Sequence, residues 1–125
     1  MGSNTIMIVD DEKSVLRVME RVLGKENYDI HCVTSATEAL DSIQEIKPQV
    51  ILSDRRMPHM EGLDLLIRVK EKHPNCYCVL MTGHPFIPES VQHALQKGKI
   101  DLFIKKPIDN EALLSKIREV FEDRQ

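Results

Sequence analysis

Three aspartates, a threonine and a lysine stand where runs of apolar residues end. Asp10 and Asp11 close the run IMIV, Asp54 closes QVILS, Thr82 and Gly83 follow CYCVLM, and Lys106 lies just past IDLFI and before Pro107. Brought together, they would put three carboxylates, a hydroxyl, a backbone N–H and an ammonium in one place. Each close carboxylate pair would cost about 1 kcal/mol in water and about 4 kcal/mol at an effective dielectric of 20. Positive charge must therefore belong there. Lys106 supplies one unit and a hard divalent cation the rest; donors that are all oxygen select Mg²⁺ or Mn²⁺ over zinc. Such a cation inverts the local charge logic and makes a phosphoryl group welcome. A free oxygen of Asp54 can then attack phosphorus in line to form an aspartyl phosphate. The Thr82 hydroxyl and the Gly83 N–H are expected to donate to the transferred group's oxygens.

The elements that must position these residues alternate five times between strand and helix. Residues 5–9 read as a short buried strand. Val15, Leu16, Met19, Val22 and Leu23 recur at helical spacing, with Gly24 suited to the stop. YDIHCV alternates as an edge strand would, and Ser35 with Glu38 forms a capping box before the next helix. After QVILS, the residues Leu63, Leu66, Ile67 and Lys70 mark a third helix. CYCVLM is the fourth strand, TGHPFIPES leads into a short fourth helix ending near Gly98, and IDLFI is the fifth strand. A last helix turns Leu113, Leu114, Ile117, Val120 and Phe121 inward, capped by Asp109 or Asn110. Five such units with short connections predict an α/β fold: a flavodoxin-like (βα)5 sandwich whose parallel sheet has strand order 2-1-3-4-5. Ligands of that topology bind beyond the carboxyl ends of strands 1 and 3, where Asp10, Asp11 and Asp54 fall.

Composition excludes several classes. At 125 residues the chain is one domain's worth, and the expected division is residues 1–4 as a tail or vector-derived remnant and 5–125 as the domain. A net charge of −3 with no basic block argues against nucleic-acid binding by this domain. Cys32, Cys76 and Cys78 fit neither a disulfide framework nor a zinc knuckle and read as core thiols of a cytoplasmic protein. No apolar run reaches the ~18 residues of a membrane span.

The motifs VDDE, LSDRRMPHMEG, LMTGH and FIKKP, in that order, resemble the receiver domain of two-component response regulators from about Thr5 to Phe121. The resemblance implies a signalling domain that catalyses only its own phosphorylation and dephosphorylation. It implies Asp54 as acceptor from a histidine kinase or phosphotransfer protein, Asp11 as a direct Mg²⁺ ligand, Asp10 as one acting largely through water, and the Arg56 backbone carbonyl as a further ligand. It selects Lys106 over Lys105 as the phosphoryl-binding lysine, with a cis bond to Pro107. It also implies a switch in which Thr82 turns to the phosphoryl group, Phe103 turns inward, and the face formed by the fourth helix, fifth strand and fifth helix is remodelled for an output domain or target protein. Homodimerisation through that face is a further expectation. Arg56 and His84 flank the path of an attacking water and are expected to tune the lifetime of the phosphate. Lys105, where an apolar or small residue is usual, is expected to project toward a partner.

Three alternatives stand beside this. A flavin-binding carrier shares the topology, but DDEKS offers carboxylates where a flavin phosphate needs hydroxyls and glycines. A haloacid-type phosphatase would carry its nucleophile in a D-x-D after strand 1, which is absent. A degenerate receiver would act as a docking module without phosphorylation.

Overall fold

A computed structural model of the protein describes residues 4–123. Of the tail expected over residues 1–4, Met1, Gly2 and Ser3 lie outside the described residues and Asn4 is described. In chain order the elements are β1 (Thr5–Val9), α1 (Lys13–Gly24), β2 (Asp29–Val33), α2 (Ala36–Ile46), β3 (Val50–Asp54), α3 (Gly62–Lys72), β4 (Tyr77–Thr82), α4 (Glu89–Gln96), β5 (Leu102–Lys105) and α5 (Asn110–Asp123). All four strand pairings are parallel and the order is β2-β1-β3-β4-β5. Pairing of β1 with β2 begins before the strand proper, because the Asn4 carbonyl accepts the Asp29 N–H at 2.9 Å.

The unbroken apolar strands follow from burial on both faces. Alternation along β1 sends Met7 and Val9 into a core under α2, α3 and α4, while Ile6 and Ile8 enter a second core under α1 and α5. The same alternation places Ile51 and Leu80 in the first core and Leu52 and Met81 in the second. Each such side chain contributes about 1.5–3 kcal/mol on burial. That sandwiching fixes the strand ends, and with them the site.

Local signals hold in most places. The Ser35 hydroxyl accepts the Glu38 N–H at 3.1 Å, and the Glu38 carboxylate accepts the Thr34 N–H at 3.0 Å, so the capping box closes one residue further out than usual. Asp109 rather than Asn110 caps α5, accepting the Ala112 N–H at 3.2 Å. Other expectations need correction. Gly24 is still helical, and the left-handed residue before β2 is Asn27, at φ 64°. In α3 the buried face is Gly62, Leu65, Leu66 and Val69, with Leu63 and Ile67 on its flank. β5 starts at Leu102 rather than Ile100, and just before it Asp101 is tied to β4, its N–H donating to the Cys78 carbonyl at 2.9 Å. Its carboxylate accepts the Cys78 N–H at 2.8 Å and pairs with Lys70 at 2.5 Å. In the connection after α3, the Nε2 of His73 is shielded from solvent and has no partner among the described residues. None of the three cysteines is in a disulfide, and Cys76 and Cys78 are buried. The Cys78 thiol is pushed up by its contact with Cys76 and by burial, and so is inert.

Candidate functional site

The site is built where four strands stop. After Val9 the backbone keeps one more ladder bond, from the Asp10 N–H to the Val33 carbonyl at 3.2 Å, and the next turn enters α1 with Glu12 at its cap. Asp10 is therefore clamped in place and fully buried, whereas Asp11 is exposed. Asp10 Oδ1 accepts the Glu12 N–H at 2.9 Å. Asp54, the last residue of β3, is half-buried beside it. Oxygens of Asp10, Asp11 and Asp54 lie within 4.8 Å of one another.

Lys106 closes the cluster. Its Nζ donates to Asp54 Oδ1 at 2.9 Å and to Asp10 Oδ2 at 3.4 Å. Its own N–H donates to the Thr82 carbonyl at 2.7 Å, and its peptide bond to Pro107 is cis. Burial works against the ammonium, but the hydrogen bond and charge of Asp54, with those of Asp10, outweigh it and raise the Lys106 pKa. Asp10 also titrates above the ordinary carboxylate range. Burial is the main cause and the Asp54 charge adds to it; the Glu12 N–H and Lys106 oppose it without cancelling it. One lysine thus leaves the three carboxylates short of positive charge. An all-oxygen donor set with one buried, poorly compensated carboxylate fits a hard divalent cation.

Thr82 ends β4 almost fully buried, and its hydroxyl accepts the His84 N–H at 3.1 Å. Gly83 is exposed, and a Cβ built on it would meet nothing within 4 Å. Arg56 is exposed in the loop after β3. The His84 ring faces along its own loop, with Nδ1 3.2 Å from the Phe86 nitrogen. Phe103, the register partner of Leu80, packs partly buried against the core under α3 and α4. Lys105 does not extend freely: its Nζ donates to the Pro85 carbonyl at 3.3 Å.

Sequence reasoning missed the support beneath Asp54. A Cβ on Gly62 would stand 2.0 Å from the Asp54 carbonyl oxygen and 2.9 Å from the Ser53 hydroxyl. The Gly62 N–H donates to the Arg55 carbonyl at 2.8 Å, and the Ser53 hydroxyl donates to the Asp54 carbonyl at 3.0 Å. The start of α3 thus presses on the backbone that carries Asp54. The glycine of HMEG was the signal; only its loop position, not its close contact, was readable.

A groove of about 390 Å³ opens beside Lys106, lined by Val15, Val18, Met19, Pro107 and Ile108 among others. Val18 is one of two large apolar side chains well exposed among the described residues; the other is Phe86.

Comparison with known proteins agrees with this geometry. The chain is 34% identical over 117 residues to the DNA-binding transcriptional regulator NtrC of Proteus hauseri, covering 94% of this chain and 24% of that protein. It is 33% identical over 121 residues to the C4-dicarboxylate transport transcriptional regulatory protein DctD of Rhizobium meliloti, covering 97% and 26%. It therefore spans about a quarter of the length of these relatives. Among solved structures it superposes on a CheY-like response regulator receiver domain protein from Methanospirillum hungatei with a TM-score of 0.88 at 27% identity, covering 98% of this chain and 96% of the other. The signal receiver domain of an HD domain-containing protein from Pseudomonas fluorescens gives 0.89 at 27%, covering 98% and 97%. The model of the response regulator receiver domain matches residues 6–118, and the chain belongs to that family.

Proposed function

We propose that residues 5–125 form a phosphoacceptor unit in which Asp54 takes a phosphoryl group from a phosphohistidine of a sensor kinase or phosphotransfer protein. The observation that carries this is the ammonium of Lys106 held 2.9 Å from one oxygen of Asp54 and 3.4 Å from Asp10, within a cluster of three carboxylates. One oxygen of Asp54 is tied down and the other is left to attack. Its bond to phosphorus forms as the N–P bond of the donor breaks, and the electron pair of that bond returns to the leaving imidazole. Lys106 stays charged and follows the transferred oxygens. Thr82 and Gly83 are the donors on the β4 side.

Asp10, Asp11, Asp54 and the Arg56 carbonyl are the residues that would hold Mg²⁺, with Mn²⁺ as a substitute. When bound, the ion neutralises the cluster and stabilises charge on the phosphoryl oxygens. Asp10 holds the floor of the site by its bond to the Glu12 N–H. The domain acts only on its own acyl phosphate. Phosphorylation adds about −1.5 to −2 charges and biases Thr82 and Phe103 toward a second arrangement. That in turn changes the α4-β5-α5 face seen by an output domain, a target protein or a second copy. Arg56 and His84 tune the lifetime of the phosphate. The groove beside Lys106 is continuous with the site and apolar, so it suits an apolar helix of the donor protein.

No described helix is long and apolar enough to cross a membrane. The test is ¹⁹F NMR with beryllium fluoride. Bound-fluoride resonances that need Mg²⁺ are expected from the wild type, and none from Asp54→Asn. Their absence from the wild type would favour a degenerate receiver that only docks.

A further inference from the structure

Thr82 and Lys105 are register partners on β4 and β5. Each holds the loop that follows β4. The Thr82 hydroxyl accepts the His84 N–H at 3.1 Å, and the Lys105 Nζ donates to the carbonyl of the next residue, Pro85, at 3.3 Å. The loop then closes on itself, with the Phe86 N–H on His84 Nδ1 at 3.2 Å. Two consecutive lysines, the last residue of β5 and the one after it, thus divide their work: Lys106 faces the carboxylates and Lys105 the loop. Thr82 is pinned from both sides, because its carbonyl accepts the Lys106 N–H and its hydroxyl is held by His84.

We propose that Lys105 is a positioning residue that latches this loop and so restrains the Thr82 hydroxyl, an inference that rests on the phosphoacceptor reading given above. For the hydroxyl to turn toward a phosphoryl group on Asp54, it must give up the His84 N–H. With Pro85 strapped to β5, residue 84 cannot follow it or swing away freely, so the strap favours the unturned arrangement. A ligand that prefers the turned arrangement binds more weakly by the same factor. Gly83 and His84 are exposed, so water can take up the released N–H, and the latch is therefore light. An exposed charge-assisted bond corresponds to a factor of roughly two to five.

The test is Lys105→Met, which keeps the aliphatic stem and removes the donor, with Lys105→Arg as the conservative control. In the absence of any ligand, amide exchange of His84 should quicken about two- to five-fold in Lys105→Met and stay near wild type in Lys105→Arg. Beryllium fluoride with Mg²⁺ should bind Lys105→Met roughly two- to five-fold more tightly. In a Thr82→Ala background the Lys105 substitution should change that affinity little, as a coupled pair requires. Simple loss of positive charge near an anion gives the opposite sign, weaker binding, and that result would overturn the proposal. Unchanged His84 exchange would also overturn it. Because exchange needs no phosphoryl analogue, it still decides the matter if the wild type takes up no beryllium fluoride, an outcome that would sink only the phosphoacceptor reading.

Discussion

Asp10 shows how a single residue sets the site's demand for charge. Its pKa is raised, so the folded protein holds that proton more tightly than the unfolded chain does. The penalty is absent below the ordinary carboxylate value and grows as pH rises through the raised one. Without metal, acidification across that window should therefore increase stability through this group. Asp10→Asn should flatten the dependence and raise stability at neutral pH, because the amide removes a buried charge and its repulsion with Asp54. Urea unfolding in EDTA at several pH values checks both. Lys106 runs the other way: its raised pKa contributes stability that is complete below its ordinary value and lost as pH climbs through the folded one. The two effects fall in separate pH ranges, so one titration resolves them. At this scale the sequence was legible where chemistry demanded charge, since the acidic ends of β1 and β3 required a lysine and a cation. It was silent on direction. Nothing in FIKKP says that Lys105 turns back to Pro85, and nothing in LMTGH says that the His84 ring turns toward Phe86.

At the level of elements, the register of parallel strands places Asp54 beside Asp10, and the start of α3 holds it there. Gly62→Ala should put its methyl against the Asp54 carbonyl, which has no way to yield without moving the acceptor. The expected loss is about 1–3 kcal/mol or more in urea unfolding, together with slower labelling of Asp54. The groove between α1 and the segment after β5 makes a separate prediction. Val18→Asp should slow transfer from a phosphorylated donor protein by about ten-fold or more, as loss of a buried apolar anchor does. It should leave labelling by acetyl phosphate unchanged, since Val18 is not one of the residues of the acidic cluster. Periodicity read the strands and α1, α2 and α5 well because each buries a wide apolar stripe. It located α3 and its buried Leu66, but Leu63 and Ile67 lie on the flank, and the rest of the contact is made by Gly62, Leu65 and Val69. A glycine carries no hydropathy signal, and close packing cannot be read from one.

The whole molecule is a two-sided core that fixes one polar rim. β1, β3 and β4 bury both faces, so their ends have little freedom, and the carboxylates are held close at a cost that bound metal relieves. Occupancy and stability are therefore linked. Mg²⁺ at about 100 times its Kd should add about 2.7 kcal/mol to unfolding free energy, and thermal denaturation with and without the ion should show the gain in the wild type and most of it lost in Asp11→Asn. The fold was legible because alternation of element type and short connections leave few topologies. The state of the site was not, because it depends on distances that no spacing along a chain encodes.

The most direct test is incubation with acetyl phosphate, followed by peptide mapping of the labelled residue. The expected result is one phosphoryl group on Asp54, dependent on Mg²⁺, abolished by EDTA and absent from Asp54→Asn. Labelling that persists in Asp54→Asn, or that proceeds equally well without a divalent cation, would contradict it.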